Sequence, residues 1–126
     1  MSDLMDACRA VNVTRDAVLA NRLEWAGTSS TRRKGLLGRD SLERGAGLYL
    51  VPCPWVHTFG MAFAIDVAFL TKDGTVVDLH RRLPPNRLSR LVFRANGVLE
   101  LPAGVLETTG TRVGDVVRFD DAARTP

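Results

Sequence analysis

Ten residues, Met61 through Leu70, alternate with a period of two and run directly into Lys72-Asp73-Gly74. A helix repeats every 3.6 residues, so this pattern fits only a strand. Met61, Phe63, Ile65, Val67 and Phe69 share one face, which is expected to be core; Ala62, Ala64, Asp66, Ala68 and Leu70 share the other. Minimal side chains around one carboxylate imply that something packs closely on that second face, a neighbouring element or a ligand in a shallow cleft. Asp73-Gly74 predicts a two-residue hairpin with both central residues at positive φ, returning as a strand over residues 75–79. Extending the strand back to His57 would make it unusually long, so a break is expected near Gly60.

The remaining segments read as short strands over residues 11–13, 18–25, 47–51, 98–101 and 116–119, rich in β-branched and apolar side chains and bounded by turn residues. Thr28-Ser29-Ser30-Thr31 can cap a short helix that runs to Leu37 and stops at Gly38, with Arg32, Arg33 and Lys34 along it. Pro102, Leu106 and Gly110 mark the start, interior and end of a second helix. The chain is therefore expected to be mainly β: a small single-domain β-barrel or sandwich of about six to seven short strands with two short helices. The domain is expected over residues 11–119, with flexible tails over 1–10 and 120–126.

With 126 residues, one core is the default. The formal charge of +3 is carried by fifteen Arg and only two Lys, which permits an anionic partner without requiring one. The first eight residues contain two acids and no basic or apolar leader, and the longest apolar run is broken by Pro52 and Pro54. A soluble cytoplasmic protein with no membrane association is expected, its cysteines, Cys8 and Cys53, free thiols in a reducing compartment.

Several ordered motifs have a known counterpart. His57-Thr58-Phe59-Gly60-Met61, Ile65-Asp66-Val67, Leu99-Glu100-Leu101-Pro102-Ala103-Gly104 and Gly114-Asp115, with residues 34–39 (Lys-Gly-Leu-Leu-Gly-Arg), resemble the bacterial and archaeal domain-of-unknown-function family numbered 192, over roughly residues 13–119. The resemblance implies a compact, β-rich, barrel-like fold and no activity, since the family has none established. Family members often carry a basic residue where this chain has Ala62 and a proline where it has Ala64. Many are exported; the N-terminus here gives no sign of that.

Chemistry concentrates between residues 53 and 66. Cys53, His57 and Met61, spaced by four, make a soft-ligand set, but four extended residues span about 13 Å, too far for one ion unless the chain folds back. No metal site is assigned and no cofactor is identified. His57 and Asp66 could pair as base and orienting acid with Cys53 as nucleophile, giving a hydrolase or metal-dependent enzyme; no Gly-x-Ser-x-Gly elbow supports this, and the sequence leaves open whether the chain is an enzyme. Convergence of those three side chains would favour catalysis, and separate burial would oppose it. Flanked by Val56 and Thr58, His57 is expected to be largely buried, while Glu100 reads as a surface carboxylate. Arg81, Arg82, Arg87, Arg90 and Arg94 form an Arg-rich loop suited to anions, though Phe93 alone interleaves it, so nucleic acid is not favoured. The reading that results is a non-catalytic small-molecule or protein-binding module with a cleft lined by His57, Met61 and Asp66, and Arg81, Arg82 or Arg87 at its rim. Anion or nucleic-acid binding through residues 81–94 is the other alternative.

Overall fold

The computed structural model describes residues 8–121; residues 1–7 and 122–126, within the expected tails, lie outside them. Seven strands form one sheet: β1 (Cys8–Asn12), β2 (Ala17–Ala26), β3 (Ala46–Leu50), β4 (Ile65–Leu70), β5 (Val76–Leu83), β6 (Gly97–Pro102) and β7 (Val117–Asp121). Their spatial order is β5-β4-β6-β3-β2-β1-β7, and only β2 and β3 run parallel. The sheet curls into a half-barrel. Its two ends in that order meet at one point, where Thr75 bridges Val116, Val76 N–H donates to Asp115 O (2.8 Å) and Val117 N–H donates to Gly74 O (2.8 Å).

Curling divides the core in two. The inner cluster draws on every strand, including Ala10, Leu23, Tyr49, Ala68, Leu70, Val76, Leu99, Leu101 and Val117. Leu106, the buried residue of α2 (Val105–Thr108), plugs it. An outer cluster of Leu48, Leu50, Val67, Phe69 and Val98 lies on the opposite face, covered by Leu36, Val56 and Met61. Leu36 follows α1 (Ser29–Lys34), whose N-terminus Thr28 caps in a reciprocal box with Thr31. α1 ends at Gly35, short of the expected Leu37, because Gly35 takes φ 48°.

All six residues of β4 are buried, since the strand has sheet neighbours on both sides and a cluster on each face. Met61, Ile65, Val67 and Phe69 do join one cluster, the outer one. The strand begins at Ile65 rather than residue 61, however, because Gly60 adopts φ 80° and Met61 N–H closes a turn onto Thr58 O (3.1 Å). Phe63 is thereby displaced from the strand and only half-buried against the outer cluster. Phe63→Ala is expected to cost about 1–2 kcal/mol, less than the roughly 3–5 of a fully buried Phe. Denaturant unfolding checks this; a loss above 3 kcal/mol would return Phe63 to the core.

The hairpin after β4 differs from the two-residue type expected. Gly74 N–H donates to Thr71 O (3.0 Å) and Thr71 N–H to Thr75 O (2.9 Å), while Gly74 has φ 91° and Asp73 is not among the positive-φ residues. This is a type I turn followed by a left-handed Gly, in which Asp73 bonds the Thr71 hydroxyl. An Asp-Gly pair suits either geometry. No helix among the described residues is long and apolar enough to cross a membrane.

Candidate functional site

Between α1 and the segment that leaves β3, the outer face opens into a cleft of about 470 Å³. Its walls are apolar: Leu36, Leu37, Leu50, Val56, Met61 and the prolines 52 and 54. Arg32, Arg33 and Lys34 of α1 stand on one side, and Cys53, Trp55 and His57 on the other. Glu100 lines the cleft from the sheet. A second cleft of the same volume lies beside α2, so volume does not choose between them.

Glu100 does. On β6 it alternates with Leu99 and Leu101 of the inner cluster, which puts it on the outer face, where it pairs across the sheet with Leu48 and Val67. The residue is 3% exposed and its Oε1 has no hydrogen-bond partner. Burial pushes the carboxyl up to about 8 against a weaker opposing pull from Arg39, whose guanidinium is held by Glu24 (2.8 Å). Near neutral pH the carboxyl is therefore largely protonated. Trp25 Nε1 and His80 Nε2 are also buried without partners, but neither lines either cleft. A buried polar atom left unpaired costs about 1–3 kcal/mol, and of these three residues Glu100 is the one that lines a cleft, where an occupant can offset that cost.

Cys53, His57 and Met61 all line this cleft, brought to it by the turn at Gly60. Cys53 is a poor nucleophile: burial raises its thiol, which donates to Trp55 O (2.9 Å). His57 is half-buried rather than enclosed, its ring tilted toward Trp55 and stacked on Phe59 (centroids 6.1 and 5.3 Å), with Nδ1 accepting the Phe59 N–H (3.3 Å). It stays partly open because its backbone bridges Leu88 in a surface ribbon rather than a covered strand. Both cysteines are free.

Asp66 lies elsewhere. Its strand parity is that of Ala68 and Leu70, on the inner side, and three backbone donors hold its carboxylate: Arg82 N–H (2.8 Å), Gly104 N–H (3.1 Å) and Leu106 N–H (2.8 Å). It thus ties β5 and the start of α2 to β4. Arg81 donates to Thr111 O (3.2 Å), and Arg82, at φ 53°, approaches Glu107 (3.7 Å) beside the α2 cleft. Arg90 grips Asp78 with two bonds (2.6 and 3.2 Å), and Arg87 is exposed. The arginines of residues 81–94 do not line the α1 cleft.

A family model described as uncharacterized ACR matches residues 10–119. The chain belongs to that family, DUF192. No curated protein matches it. The DUF192 half-barrel is similar to a protein of unknown function from Novosphingobium aromaticivorans, with TM-score 0.76 and 23% identity over 88% of this chain and 82% of that one. A Sinorhizobium meliloti protein described as a candidate transcription regulator is similar at TM-score 0.74 and 24% identity, over 89% and 91% of the two chains. At such identities the likeness speaks for the fold.

Two features of the DUF192 cleft escape a reading of spacing alone: Glu100 on the sheet and the cations of α1. The signal for Glu100 was its place between Leu99 and Leu101 in an otherwise apolar run, the pattern of a strand covered on both faces.

Proposed function

We propose that this DUF192 protein is a non-catalytic small-molecule-binding module whose ligand occupies the α1 cleft over Glu100. The observation that carries the reading is the buried Glu100 carboxyl with an orphaned oxygen in a cleft of ligand size, where a few convergent polar groups among apolar walls are the usual composition of a binding site. His57 and Met61 contribute walls, and the cations belong to α1 rather than to Arg81, Arg82 or Arg87. A hydrolase built on Cys53, His57 and Asp66 is disfavoured: the thiol is held protonated, and Asp66 serves backbone donors on the other face of the sheet. Anion or nucleic-acid binding by residues 81–94 is weakened because Arg81 and Arg90 are already engaged. Two unpaired cysteines support a cytoplasmic setting as part of the proposal.

Native mass spectrometry of gently purified protein tests the reading. A small molecule is expected to accompany the wild type, to be lost from Glu100→Leu and, on re-addition, to shift the amide resonances of Leu36, Cys53 and Val56. Retention by Glu100→Leu, or shifts confined to residues 81–94, would overturn it.

A further inference from the structure

We infer that the α1 cleft recognises a small anionic molecule bearing an amide-type edge, an N–H beside a C=O, with that edge on the Glu100 carboxyl and its anionic group on Arg33 and Lys34. The inference rests on the cleft reading and narrows it to a ligand class. Buried Glu100 is largely protonated at neutral pH, so it offers one donor and one acceptor side by side. An amide edge meets both with two parallel hydrogen bonds and pairs the orphaned oxygen. A cationic group on an ionised Glu100 is the competing arrangement. A desolvated ion pair roughly breaks even, however, and such a ligand would have to pass the positive side of the cleft.

That side is formed by the end of α1. Arg32 is tethered, donating to Gly27 O (2.9 Å) and Val51 O (3.4 Å). Arg33 and Lys34 are exposed and make no ion pair among the described residues, so they are free to meet a carboxylate or phosphate. Between the two ends the apolar walls receive a hydrocarbon or ring. Uracil-type nucleotides and carboxylic acids bearing a primary carboxamide share this chemistry, whereas a secondary amide, being trans, points its N–H and C=O apart.

Amide chemical-shift titration separates these sources with uridine monophosphate and suberic acid monoamide as ligands. Uridine, which has the edge without the anion, and octanoate, which has the anion without the edge, are the controls. At least one of the two ligands is expected to bind about tenfold or more tighter than both controls, each missing group forfeiting one charge-assisted or paired contact. The stronger of the two identifies the source. Ionisation of Glu100 removes its donor, so between pH 6.5 and 9 the wild type should lose about tenfold more affinity than Glu100→Gln, whose amide keeps a donor and an acceptor. The other charged or titratable groups facing the site, Arg32, Arg33, Lys34, Arg39, Cys53 and His57, are common to both proteins and cancel. Octanoate binding as tightly as either ligand would overturn the class while leaving the cleft reading intact. No cleft shift from either ligand at millimolar concentration would also overturn the class, whereas a native ligand retained by Glu100→Leu would remove both.

Discussion

Gly74→Ala is expected to destabilise the protein by about 3 kcal/mol or more, while Gly110→Ala costs only about 1. Both glycines sit at positive φ, 91° and 69°, so alanine meets a backbone penalty at each. They differ in what lies beyond the Cα. A Cβ at Gly110 meets open space, whereas at Gly74 it would collide with the backbone carbonyl oxygen of Val117. That carbonyl cannot step aside cheaply. Val117 N–H donates to Gly74 O, and Val76 N–H donates to Asp115 O (each 2.8 Å), so moving the chain there opens the hydrogen bonds that join the two ends of the curled sheet. Behind it lie Val76 and Val117 of the inner cluster, which water would reach. Equilibrium denaturation of the two variants side by side makes the comparison, and equal losses would show that the closure does not depend on Gly74.

The turn at Gly74 also shows where local pattern stops informing. Alternation from Ile65 onward, the Asp-Gly pair and the capping residues around Thr28 each act over a few positions, so strands, hairpin and helices could be placed from the sequence, as could the family. Whether Asp73 joins Gly74 at positive φ depends on the turn's fit to Val117, more than forty residues along the chain. The same limit governs the cleft. Its parts come from residues 29–37, 50–61 and 100, and no spacing rule relates α1 to β6. Cys53, His57 and Met61 were visible as a spaced set, and the Gly60 turn explains why they share a wall although an extended chain would separate them. Asp66 drew attention as the polar residue on a face of small side chains; the closeness of that face reflects α2, whose first turn donates to it. Glu100 was discounted because a charged residue between leucines normally marks a solvent face. That rule fails for the middle strands of a sheet covered on both sides, where β6 lies between β4 and β3.

Glu100 therefore carries the second large effect, and its sign runs opposite to that of most buried substitutions. With its folded value near 8 and an unfolded value near 4.5, the native state holds a proton that the unfolded state has released throughout the interval between them. Native stability attributable to this site is complete below about pH 4.5 and is lost as the pH rises towards 8. Gln in its place cannot ionise. Glu100→Gln should exceed the wild type by less than about 1 kcal/mol at pH 5, by about 3 at pH 7 and by about 4 at pH 8, with solvent entering the cleft reducing these figures. The substitution keeps shape and hydrogen-bonding capacity, so a gain that grows with pH reports the buried ionisation and not repacking. Urea unfolding of both proteins at pH 5, 6, 7 and 8 measures the difference. A constant offset across that range would mean that Glu100 is ionised and solvated in the folded protein, and the α1 cleft would then hold a carboxylate suited to cations instead of a protonated acid suited to an amide edge.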